Sequence, residues 1–181
     1  MKALVAGIGN IFMGDDGFGC EVAQRLSRSK LPEGVDVVDF GIRSMDLGYA
    51  LTADYEVAIL IDTVERNDAP GTVFVIEPAI EEVQLTELES GEHMIVPHAM
   101  DLAKILRFVA SLGRRRPRVL LVACQPEYLG GAHGHIGLSI RVAAAVDEAV
   151  REVEAILRQI DREQCRSAGE TTAIGLPVLL N

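Results

Sequence analysis

Residues 3–19, Ala-Leu-Val-Ala-Gly-Ile-Gly-Asn-Ile-Phe-Met-Gly-Asp-Asp-Gly-Phe-Gly, constrain the fold more than any other stretch of the chain. The apolar run from Ala3 to Ala6 fits a strand buried on both faces, which places it in a sheet covered by helices. Gly7 and Gly9 break the strand, and Asn10 tolerates the left-handed backbone that a tight exit requires. Phe18, Val22 and Leu26 then recur at helical spacing. Asp15 and Asp16 stand just before that pattern, where a carboxylate caps the free N–H groups of a first helical turn. One cap needs one aspartate, so the second is left for another task.

The remaining sequence alternates in the same way. Strands are expected at about 2–8, 35–40, 56–61, 72–76 and 118–124. Helices are expected at 16–29, at 44–53 with Ser44 as its cap, from near His98 to Gly113, and over a long amphipathic stretch from Leu138 to Ile160. Residues 79–97 keep no sustained period and read as loop with short helix. Alternating strands and helices predict an α/β fold, a three-layer sandwich with a mostly parallel five-stranded sheet flanked by helices. A single domain is expected over 1–164, followed by a tail over 165–181. The 181 residues are 49% hydrophobic yet only 4% aromatic, so the core is aliphatic, as buried parallel strands require.

Charge and cysteines narrow the class. Seventeen Lys and Arg against 27 Asp and Glu give a net charge of −10, which disfavours nucleic acid and anionic membrane surfaces as partners. Cys20, Cys124 and Cys165 are too far apart for a zinc or thioredoxin-type pair, and an odd count argues against a disulfide scaffold. The apolar start is too short and too glycine-interrupted for a signal peptide, and no run has membrane-spanning length. A cytoplasmic protein is expected, with monomer the default for a domain of this size.

Sites in open α/β sheets form at the carboxyl ends of the strands, where strand order reverses. Asp15 and Asp16 follow the first strand, Asp39 ends the second, Asp62 ends the third, and Gln125-Pro126-Glu127 follows the fifth. His98 opens the helix before the fifth strand. Two carboxylates and an imidazole make an oxygen/nitrogen donor set that suits nickel, zinc or manganese without choosing among them. Each residue alone also has a structural reading: Asp16 as an N-cap, Asp39 as an Asx turn, Asp62 as a strand end, His98 as an exposed helix start. His133 and His135 lie in a Gly-rich loop expected to be mobile, and Cys124 packs as a small apolar group. A dinucleotide-binding domain is the competing reading, and Asp39 meets its demand for an acid after the second strand. Phe12 stands where its third glycine belongs, and Asp15 and Asp16 would face an anionic pyrophosphate.

Taken together, these motifs resemble the hydrogenase maturation proteases, which trim the large subunit of nickel–iron hydrogenases. The matching residues are Gly7-Ile-Gly-Asn10 with Gly14-Asp-Asp-Gly-Phe-Gly19, Asp39-Phe-Gly41, Ile61-Asp-Thr63, Pro97-His-Ala-Met-Asp-Leu102 and Gln125-Pro-Glu127, in the family's order. The resemblance covers roughly residues 1–150. Phe40 departs from it, standing where a small residue is expected, and the 130–137 loop and the chain beyond Asp161 lie outside it.

The resemblance implies an endopeptidase that removes a short C-terminal extension from a large-subunit precursor once nickel is in place. Carried over by position, the metal-contacting residues are Asp16, Asp62 and His98. They would recognise nickel held by the substrate, or bind another divalent metal in its place. Asp39 matches a further acid of the site region, and Asp16 or Asp39 is the expected water-activating base. An aspartyl-type pair is the other option, and it needs one carboxyl with a raised pKa. Gly41, Thr63 and Gln125, within the matching motifs, are the expected substrate contacts. A non-catalytic nickel-dependent checkpoint that binds the precursor without cutting it is the alternative role.

Overall fold

The computed structural model describes residues 1–78, 105, 109 and 117–171, with 167–171 as backbone only. The expected segment 79–97, His98 and most of the helix after it therefore lie outside the described residues. Its Ile105 and Val109 are described, and both are helical and buried.

The elements follow the alternation in the sequence: β1 Ala3–Ile8, a 3-10 turn Gly14–Gly17, α1 Phe18–Leu26, β2 Val35–Gly41, α2 Ser44–Ala50, β3 Val57–Thr63, β4 Val73–Ile76, β5 Arg118–Cys124 and α3 Ile140–Thr171. They form one five-stranded sheet in the order β2-β1-β3-β5-β4. The first four strands are parallel, and β4 runs antiparallel to β5. The connection from β3 to β4 holds no helix, and a parallel return needs a crossover of about a dozen residues or more. The strand accordingly comes back the other way. Helix α3 continues to Thr171, past position 165 where the tail was expected to start. Among the described residues, no helix is long and apolar enough to cross a membrane.

Register explains the aliphatic sequence. Val37, Val5, Ile59 and Leu120 align in one row across the sheet, and Val38, Ala6, Leu60 and Leu121 in the adjacent row. Because successive side chains point to opposite faces, the first row packs under α1 and α3, against Phe18, Val22, Val146 and Val153. The second packs with Leu47 and Leu51 near α2 and with Ile105 and Val109. This is the expected three-layer sandwich. Full burial of each such Val, Leu or Ile contributes about 1.5–3 kcal/mol relative to exposure.

Two sequence details resolve here. The β1–β2 register shifts so that Gly7 pairs with Asp39 and Ile8 with Gly41, leaving Phe40 as the extra residue. That irregularity turns Phe40 into the second core, where it is 6% exposed, and accounts for a bulky residue at this position. Ser44 does not cap α2. Arg43 is the N-cap, with no side-chain capping bond, and its N–H and Nε both donate to Phe40 O at 3.0 Å, so the turn is closed one residue earlier.

Candidate active site

Strand order reverses between β1 and β3, so the carboxyl ends of these strands and the start of α1 frame a crevice. Helix α1 reaches that edge because Gly19 carries no side chain. A Cβ there would lie 2.1 Å from Ile61 O and 2.3 Å from Ile8 O. The first turn of α1 therefore rests directly on both strands.

Neither Asp15 nor Asp16 caps this helix. Gly17 is its N-cap, with no side-chain bond. The chain leaves β1 through Gly9 at φ +130°, where a Cβ would collide with Asp16 O at 1.8 Å. This contact folds the 10–16 turn tightly over the strand end. Asn10 N–H donates to Asp16 Oδ2 at 2.7 Å, and Phe12 N–H to Asn10 Oδ1 at 3.0 Å. Asp16 is thereby held at the crevice, 2% exposed. Asp62, at the end of β3, is 6% exposed, and its Oδ1 accepts the N–H of Thr63 at 2.7 Å. Asp39, half-buried at the end of β2, accepts Gln24 Nε2 at 3.1 Å.

The thiol of Cys20 lies in the negative field of the three acids. Its Sγ donates to Gly9 O at 3.5 Å, and its pKa is pushed up to about 12. Burial is the main cause, followed by a hydrogen bond with Asp39 and the negative charges of Asp39, Asp16 and Asp62. The charges of Asp16, Asp39 and Asp62 thus all act on this one thiol. The thiol itself stays protonated and is no nucleophile at neutral pH.

Outside this group runs an open cleft of about 310 Å³, floored by Gly9, Cys20 and Asp39 and edged by Gly41, Arg43, Ile11, Phe12 and Ile42. The last three are 49%, 60% and 70% exposed, large apolar side chains displayed beside carboxylates. Sequence periodicity does not single them out. A chain with apolar side chains lying across them would bring its backbone to Asp39.

The other expected site residues divide. Gly41 lies in the cleft, and its Cβ position is 3.9 Å from Asp39 Oδ1. Thr63 is buried, with its amide committed to Asp62. Gln125 holds the β3–β4 connection: its Oε1 accepts Arg66 N–H at 2.7 Å and Asp68 N–H at 3.3 Å, and its Nε2 donates to Pro126 O. His98 lies outside the described residues. Among the described residues, no three His, Cys, Asp or Glu side chains are placed to hold a metal ion. The buried oxygens of Asp16 and Asp62 are donors of the right kind for a divalent cation.

Pyrophosphate binding does not suit this turn. The N–H groups of Gly14, Asp15 and Asp16 already donate to His135 O, Tyr128 O and Met13 O. Two buried carboxylates occupy the place an anion would take.

Comparison with known proteins gives this arrangement a family. Residues 20–156 match the family model described as hydrogenase maturation protease. The chain belongs to the hydrogenase maturation proteases. It is 31% identical to the Hydrogenase 2 maturation protease of Escherichia coli K12, over 88% of this chain and 92% of that protein. Among solved structures, it is similar to the E. coli hydrogenase maturating endopeptidase HybD, with a TM-score of 0.72 and 31% identity over 88% of this chain and 93% of that one. A hydrogenase 2 maturation peptidase from a Thaumarchaeota archaeon is 35% identical over 87% and 98% of the two chains, with a TM-score of 0.62. As a maturation protease, the chain is a hydrolase that cuts within a polypeptide.

Proposed function

We propose that this protease removes a short C-terminal extension from the nickel-loaded large-subunit precursor of a nickel–iron hydrogenase. The reading is supported above all by the placement of Asp16, Asp39 and Asp62, buried or half-buried, at the carboxyl edge of the strands beside the strand-order reversal. The roles of the relatives, a hydrogenase 2 maturation protease and a hydrogenase maturating endopeptidase, agree with it.

In this account the nickel is cargo of the substrate. Asp16 and Asp62, with His98, contact it and so fix the precursor's end over the cleft. Asp39, half-buried at that cleft, takes a proton from water as its oxygen attacks the scissile carbonyl carbon. The carbon–nitrogen bond then breaks, the proton passes to the leaving amine, and a new C-terminal carboxylate remains. Nickel-bound geometry sets which bond lies over Asp39, which converts recognition into position.

Single replacements test the roles. Asp39→Asn should bind the nickel-loaded precursor normally and cleave it about a hundredfold or more slowly, the usual loss on removing a positioned base. Asp16→Asn, Asp62→Asn and His98→Ala should weaken precursor binding as well. A folded Asp39→Asn protein that cleaves at the wild-type rate removes the base assignment.

A further inference from the structure

Asp15 is a carboxylate bonded through both oxygens, and the cleavage chemistry above does not use it. It is fully buried. Its Oδ2 accepts the N–H groups of Glu127 and Tyr128, both at 2.8 Å, and its Oδ1 accepts that of Ser139 at 2.6 Å. One side chain thus holds both ends of the loop between β5 and α3. The middle of that loop is held by backbone: His135 N–H donates to Phe12 O at 2.8 Å, Gly14 N–H donates to His135 O at 2.7 Å, and Met13 and His135 form a parallel bridge. The His135 ring stands edge-on to Tyr128, with centroids 5.7 Å apart. A glycine-rich loop expected to be mobile is instead fastened to the turn that carries Asp16.

The same fastened segment displays Ile136, 76% exposed, to solvent. Ile136 and Ile11 line a second open cleft of about 420 Å³, which shares Ile11 and Gln24 with the cleft at Asp39. The loop is therefore one wall of a cleft that adjoins the cleft at Asp39. We propose that Asp15 is a positioning residue for cleavage, its carboxylate holding the 127–139 loop as the wall along which the precursor's polypeptide lies. This inference rests on the function proposed above. Charge-assisted bonds to three backbone amides suit the task, because they are short, strong and keep the loop's shape before substrate arrives.

The test is Asp15→Asn, which offers an amide nitrogen where a backbone N–H now donates. At a temperature where circular dichroism shows wild type and variant fully folded, the KM for nickel-loaded precursor should rise at least tenfold, and the amides of Glu127, Tyr128 and Ser139 should exchange faster. Ile136→Asp probes the same wall at an exposed side chain without touching the clamp, and it should also raise KM with melting temperature unchanged. Wild-type KM in the folded Asp15→Asn protein overturns the proposal. So does a lost rate that follows only the unfolded fraction. Should Asp15→Asn not fold, a wild-type KM for Ile136→Asp overturns it. Failure of the wild-type protein to shorten the precursor counts against the cleavage reading, whereas wild-type cleavage with unaltered KM in both variants counts against the wall alone.

Discussion

The buried thiol of Cys20 feels the charge of three carboxylates, and with Cys124 and Tyr55 it ties stability to alkaline pH. Cys20 and Cys124 are raised from 9.0 to about 12, chiefly by burial. Tyr55 is raised from 10.0 to about 12 by burial and by its bond to Asp36. In each case the folded pKa exceeds the unfolded one, so between about 9 and 12 the folded state holds more protons. Stability is full below pH 9 and falls as pH rises through that window. Each such group contributes a slope of at most about 1.4 kcal/mol per pH unit. Urea unfolding at pH 8, 9.5 and 11 should show this decline, and Cys20→Ala should make it shallower. Equal slopes in the two proteins would mean that Cys20 ionises in the fold as freely as in the unfolded chain. At this scale the positions of Asp16, Asp39 and Asp62 at the sheet's carboxyl edge were legible in the sequence, because strand ends can be counted from aliphatic runs. Asp15 was not, since its partners lie 112, 113 and 124 residues away. Only the surplus of a second aspartate hinted that one had another duty.

Among the elements, the strands were the most legible, because runs such as Val57–Ile61 and Val119–Ala123 have no polar face to place in water. The entry to α1 was less so. A capped helix was expected, and a 3-10 turn leads into a helix capped only by Gly17. The cause is a packing contact that no local pattern reveals: the helix start lies on the backbone of β1 and β3 through Gly19. This contact is rigid on both sides, so Gly19→Ala cannot be absorbed by a rotamer change. The variant should lose about 3 kcal/mol of stability, at the upper end of ordinary overpacking. Chemical denaturation measures the loss directly, and a change under about 0.5 kcal/mol would show that the helix can withdraw from the sheet at little cost. The direction of β4 was also hidden, because strand orientation depends on what covers the return path, and residues 64–72 are too few for a helical crossover.

For the molecule as a whole, the order β2-β1-β3-β5-β4 accounts for the location of chemistry. Parallel pairing brings the carboxyl ends of β1, β2 and β3 to a single edge, where Asp39, Asp62 and, in the turn after β1, Asp16 stand. Loops add the rest of the surface: Ile11 and Phe12 from the first, Ile42 from the second, Ile136 from the loop that Asp15 fastens. In the proposed function a rigid sheet holds the acids while apolar loops meet the polypeptide, which separates catalysis from docking. The most direct measurement is the intact mass of a cognate large-subunit precursor, nickel-loaded and nickel-free, after incubation with the wild-type protein. Loss of one short C-terminal peptide from the nickel-loaded form, with the nickel-free form unchanged, is the predicted result. A nickel-loaded precursor that binds yet keeps its full mass would contradict the account.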